Sequence, residues 1–131
     1  MKDVILDDFQ NSVSESLIRH KSIVDIMTKL SESDARVNRA LAKSVTSCGC
    51  ISISAQKQKI SDSDSLNDIS HHLSHQVEGK LCDNCRDVLE VEIGNNLYYL
   101  AALCDAVGIN LFDVLLKEYN KVQALGKFTM L

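Results

Sequence analysis

The chain has 131 residues, 45% of them apolar and 24% charged, which bounds it to a single globular domain with one core. Its net charge of −4, with no run of lysine and arginine, argues against a nucleic-acid polymer as partner, because phosphate binding needs a basic face. No apolar stretch approaches the roughly 20 residues that cross a bilayer. MKDVILDDFQ also carries acids where a signal peptide is basic and then apolar, so no membrane partner and a cytoplasmic location are expected.

The absence of proline permits long uninterrupted helices. β-Branched residues fall at helical spacing and form no alternating runs, which predicts an all-α protein. Asp3 is placed to cap a first helix carrying Ile5, Leu6, Phe9, Val13 and Leu17 on one stripe, running to about Arg19 or His20. Ser22, with Asp25 three residues on, is a second N-cap. Ile23, Ile26, Met27 and Leu30 open the stripe of helix two, and Val37, Leu41 and Val45 continue it to Cys48-Gly49-Cys50. ISIS alternates too briefly, without a visible partner, and reads with the polar run after it as loop. Asp64 or Ser65 caps a third helix on Leu66, Ile69, Leu73 and Val77, closed by Gly79. Helix four runs from about Asp83 to Val107, with Gly108 past its end. Asn110 and Asp113 cap helix five, which carries Leu111, Val114, Leu115, Tyr119 and Val122 and stops at Gly126. Short connections between amphipathic helices predict an up-and-down bundle of four to five helices, residues 1–131 forming one domain. A Cys/His-containing insertion occupies about residues 48–85.

Five cysteines are an odd number, and in a reducing compartment they are not a disulfide framework. Cys48-x-Cys50 and Cys82-x-x-Cys85 offer four thiolates, the ligand set of a closed structural zinc site. Antiparallel pairing of helices two and four brings the two pairs to one end and staples the intervening segment. Free thiols, a redox disulfide and iron–sulfur ligation are the alternatives. Cys104 lies on an apolar stripe and reads as core. His71 and His75 stand four apart on a helix and offer a rival ligand pair; a solvated face is the simpler reading.

On helix four, Glu92, Asn95 and Asn96 share a face on which oxygen ligands can hold a hard cation such as magnesium; a polar stripe facing solvent is the simpler alternative. The segment EIGNNLYYLAALCDAVGINLFDVLLKEYNKV resembles the C-terminal half of the MazG-like nucleotide pyrophosphohydrolases, and the whole chain resembles small bacterial MazG-like proteins with the same cysteine pairs. The resemblance puts Glu92 and Asn95 on the family's E-x-x-D positions, Tyr98, Tyr99 and Leu100 on its aromatic run, and Asn120 and Lys121 on its last helix. It implies an all-α NTP pyrophosphatase fold, assembly as a homodimer or homotetramer, magnesium held by acids from two helices, and cleavage of nucleoside triphosphates. Two positions depart from that pattern: Asn95 replaces the aspartate, and Ser33 and Arg36 stand at the E-x-x-E glutamates, where Arg36 opposes a cation and is placed to pair with Glu32 at i, i+4. The expectation is weak or lost hydrolysis at Glu92 and Asn95, with nucleotide or phosphate binding retained through Arg36, Arg39, Asn120, Lys121 and the tyrosines. The alternative is a non-catalytic, zinc-stapled helical oligomer that acts by interaction.

Overall fold

A computed structural model describes residues 4–62 and 64–128. The proposed Asp3 cap lies outside the described residues. Among the described residues five α-helices, α1 (Ile5–Ser16), α2 (Ile23–Lys43), α3 (Leu66–His72), α4 (Asp83–Ala106) and α5 (Leu111–Leu125), make the structure predominantly helical, with one small hairpin of β1 (Ile51–Ile53) and β2 (Val77–Gly79).

α1 ends at Ser16, before the expected Arg19 or His20, because the backbone leaves helical geometry at Leu17 and turns through His20 at φ 54°. Ser22 then starts α2 as predicted, its hydroxyl accepting the Asp25 amide at 3.2 Å. α2 and α4 lie antiparallel. Going down α2 and up α4, Arg36 meets Glu92, Ser33 meets Asn96, and Lys29 meets Tyr99.

The core sits at one end of this pair. Val13 and Leu17 from α1, Ile26 from α2, and Ala101 and Ala102 from α4 are buried, with Phe9, Tyr98, Leu103 and Leu111 packed around them. The two alanines let the helices approach closely. At the other end of the α2–α4 pair, Ile51 is the one buried apolar side chain among the described residues. That end is where the four cysteines lie.

The segment from Ile51 to Gly79 departs from expectation. ISIS is not loop: Ile51–Ile53 pairs antiparallel with Val77–Gly79, Ile51 opposite Gly79. The third helix is correspondingly shorter, ending at His72, with Ser65 and Asp68 forming a reciprocal capping box. Val77 matched the helical stripe by spacing, but Gln76 at φ 58° and Gly79 at φ 88° break any helix there. Beyond the strands, glutamine side chains continue the ladder. Gln76 donates to the Gln56 carbonyl at 2.7 Å and accepts the Gln56 amide at 3.3 Å, and Gln58 exchanges the same two bonds with Ser74.

α5 starts where predicted, Asn110 accepting the Asp113 amide at 2.9 Å, but it is not a further antiparallel member of the bundle. It turns by 108° from α4 and packs against α1. Gln10 sets that turn. Buried on α1, it donates to the Ile109 carbonyl and accepts the Leu111 amide, both at 2.8 Å.

Candidate metal centre and adjoining cleft

α2 does not stop cleanly at the cysteines. Its last turn, Ser44–Cys48, widens to π-helical geometry, and Gly49 follows in the left-handed region at φ 80°, its amide closing on the Ser44 carbonyl at 2.9 Å. Thr46 bonds back to the Ala42 carbonyl at 3.0 Å, a side-chain intrusion of the kind that loosens a helical ladder. The widened turn carries Cys48, and the reversal at Gly49 returns Cys50 toward the same side. From the opposite direction Cys82 caps α4, its sulfur accepting the Cys85 amide at 3.4 Å.

The four sulfurs of Cys48, Cys50, Cys82 and Cys85 all lie within 4.8 Å of one another, and those of Cys48 and Cys82 are 3.8 Å apart. A tetrahedron built on metal–sulfur bonds of about 2.3 Å has edges of roughly 3.8 Å, so the thiols fit one ion with little adjustment. The set can bind a metal such as zinc. Cys48 is exposed and the other three are half-buried, which leaves the centre at the surface.

The thiols are strongly differentiated. The Cys85 amide and thiol, both bonding to Cys82, lower its pKa to about 7, and that position at a helix N-terminus favours the ligating thiolate. Cys85, giving its hydrogen bond to Cys82 and partly desolvated, is pushed up to about 12. The Cys50 backbone amide draws Cys48 down, but bonding with Cys82 and Cys50 and desolvation oppose it, and the net is a rise. Cys104 is buried away from the cluster, as its place on the stripe predicted, and burial raises its pKa. His71 and His75 belong to no metal-ligand group among the described residues; His72 instead faces Asp64 at 3.6 Å.

Compared with known proteins, the chain matches no family model, no curated protein and no solved structure. Its chemistry is therefore read from its own geometry.

Glu92 does not face an open cation site. Arg36 grips it with both nitrogens, Nε to one carboxylate oxygen at 2.9 Å and Nη2 to the other at 3.2 Å. The expected Arg36–Glu32 pair is present only as a looser contact of 3.9 Å. The bidentate bond and the Glu92 charge raise the guanidinium pKa. The neighbouring acids are also engaged: Glu32 holds Lys29 at 3.2 Å, and Asp34 accepts a hydrogen bond from Asn96. Asn96 also donates to buried Ser33 at 2.9 Å.

Beside this ion pair lies a cleft of about 550 Å³ between the α1–α2 turn, α2 and α4. Arg19, Lys29 and Arg36 supply three cations to it against the single acid Glu32, and Asn95, Tyr98 and Tyr99 line it as well. Lys29 stands 5.8 Å from the Tyr99 ring centroid, and the two tyrosine rings meet edge-on at 5.2 Å. Tyr98 also shares a 2.9 Å hydrogen bond with Ser16. Arg39 lines a second cavity on the other side of Arg36, with Lys43 and Glu92. Asn120 and Lys121 join neither; they lie on α5, where Lys121 pairs with Glu118 at 3.0 Å. Sequence reasoning missed Arg19, His20 and Lys29. Only Lys29 had a visible signal, its place seven residues before Arg36 on one face of α2.

Proposed function

We propose that this protein is a divergent MazG-like helical protein, stapled by zinc, that binds a phosphate-bearing ligand of nucleotide type and has lost ordinary pyrophosphohydrolase chemistry. The observation that carries this is the seat of Arg36 on Glu92. Carboxylate-assisted hydrolysis needs several free acids to hold a cation and activate water. Here one candidate acid is neutralised by a guanidinium, a second is amide Asn95, and Glu32 and Asp34 are already paired. Phosphate oxygens can compete for Arg36 and Lys29 with the carboxylates that now hold them, and arginine is well shaped for that contact. The volume of the cleft lies in the range of small-ligand sites, and its tyrosines offer rings for a base to stack on.

Zinc is the ion assigned to the four cysteines, because soft thiolates in a tetrahedron select it and a closed set leaves no open catalytic position. Its role is to hold the end of the α2–α4 pair that the apolar core does not reach.

Calorimetric titration with nucleoside mono-, di- and triphosphates, with and without magnesium, tests the ligand reading alongside an assay for pyrophosphate. Binding that needs no magnesium, weakens on Lys29→Ala or Arg36→Ala, and releases no pyrophosphate is the expected result. Magnesium-dependent pyrophosphate release that survives purification and is lost with Glu92→Ala contradicts it.

A second reading, action by self-association, is favoured by exposed area. The chain exposes 9837 Å² at 14.5 kDa, whereas a compact monomer of that mass exposes roughly 6,900 Å². α5 has no buried residue and leaves Val114, Leu115, Leu116 and Val122 about half exposed. A second copy packed against α5 as a homodimer or homotetramer covers these side chains and removes part of the excess area. Light scattering behind size exclusion reads it directly, and a monodisperse monomer at micromolar concentration removes it.

A further inference from the structure

The cysteine cluster concentrates nucleophiles at the protein surface, and its members are not equivalent in position. Cys48 is exposed, whereas its three partners are half-buried. It ends the π-helical turn and precedes Gly49, around whose Cβ position no other atom crowds. Its sulfur lies 3.8 Å from that of Cys82, on the other helix of the pair. A disulfide holds sulfurs about 2 Å apart, a closure that side-chain rotation and a small shift of this turn supply.

We infer that Cys48 and Cys82 are a disulfide-forming pair, oxidised by hydrogen peroxide with release of the bound metal. The inference rests on the metal reading and adds a second state to the same site. The Cys48 thiolate attacks one peroxide oxygen, the O–O bond breaks, and Cys48 becomes a sulfenic acid as hydroxide leaves. The Cys82 thiolate then attacks that sulfur, the S–O bond breaks, the S–S bond forms, and a second hydroxide leaves. Two thiolates lose two electrons, the peroxide gains two, and two protons from solvent convert the hydroxides to water. Cys50 and Cys85 remain, too few to close a four-thiolate site, and the divalent ion departs.

The two staples differ in what they hold. Cys48 ends α2 and Cys82 caps α4, so the disulfide keeps the helix pair joined. Cys50 leads directly into β1, and without the metal its sulfur keeps only the 3.7 Å bond to the Ser44 carbonyl. Oxidation therefore loosens the start of β1 and spares the helices.

The test uses zinc-loaded protein treated with stoichiometric hydrogen peroxide. Released metal is followed with a chromogenic chelator, disulfides by peptide mass spectrometry, and the start of β1 by hydrogen exchange. The expected result is about one ion released per chain, a Cys48–Cys82 linked peptide, retained helical signal, faster exchange at Cys50 and the start of β1, and full reversal by dithiol with added zinc. Cys104→Ser leaves every readout unchanged, and Cys48→Ser abolishes the link. Metal retained under peroxide that oxidises a free-thiol control overturns the inference, as does release with Cys48 joined to a different cysteine or to none. Protein that takes up no zinc at all fails the metal reading instead, and peroxide treatment of that metal-free chain still decides whether Cys48 and Cys82 pair.

Discussion

Gln10 bonds α1 to the backbone on both sides of the α4–α5 turn, next to a link from Asn110 to Asp7 at 3.0 Å, and its replacement gives the most quantitative prediction. Gln10→Leu keeps the volume and the burial, so the loss is confined to hydrogen bonding. Two bonds of 2.8 Å disappear, from the side-chain amide to the Ile109 carbonyl and from the Leu111 amide to the side-chain carbonyl. The Leu111 amide belongs to the first turn of α5 and has no partner within the helix. Each neutral bond contributes about 1 kcal/mol, and a stranded buried group raises the cost, giving a total of about 2–3 kcal/mol. For a chain of this length that lowers Tm by roughly 7–11 °C. Thermal denaturation by circular dichroism measures the total, and hydrogen exchange locates it, with faster exchange at Leu111 and the first turn of α5. A variant within about 0.5 kcal/mol of the parent, with α5 protected as before, refutes the clamp.

Further predictions address the hairpin, the thiols and the ion pair. Gly79→Ala forces a Cβ to 2.6 Å from the Cys50 carbonyl at a backbone φ of 88°; it destabilises the protein by about 1–3 kcal/mol and weakens metal retention in a chelator competition. In metal-free protein, alkylation mapped by mass spectrometry finds Cys82 reacting with a half-maximal rate near pH 7, while Cys85 stays protonated and slow to far higher pH, following their pKa values of about 7 and about 12. Because the Cys82 value is depressed, its contribution to stability is present above the ordinary thiol value of 9.0 and fades as pH falls through about 7. The raised Cys85 value works oppositely: its contribution holds below 9.0 and is lost only as pH climbs toward about 12. Joint replacement Arg36→Glu and Asn95→Asp returns carboxylates to the α2–α4 face; magnesium then raises Tm in the variant and leaves the parent unchanged, read by thermal shift.

Much of the fold was legible because helix starts are written in short polar signals. Ser22, Ser65 and Asn110 each cap the helix they were expected to cap, and Gly108 follows α4 as predicted. The meeting of the cysteine pairs was also legible, since two long helices in antiparallel contact leave their ends together. The hairpin was not, because each strand has three residues and Val77 continues the apolar spacing of α3 at four residues from Leu73. Its deciding features, the left-handed Gln76 and the reciprocal glutamine bonds, depend on a partner 20 residues away. The Arg36–Glu92 pair depends on the register between α2 and α4, 56 residues apart, and spacing along one helix offered only the weaker Glu32. The direction of α5 was equally hidden. A cap marks where a helix begins, whereas its heading is set here by a glutamine on the apolar stripe of α1, three residues before Val13.

On the proposed reading, four cysteines from two chain segments hold one metal ion and so close the end of the α2–α4 pair. Elemental analysis of protein purified without added metal, together with thiol titration before and after chelation, tests this. The expected result is near one zinc per chain, only Cys104 outside the metal-bound set before chelation, and four further thiols released with the ion. No bound metal, with all five thiols freely titratable in the folded protein, contradicts it.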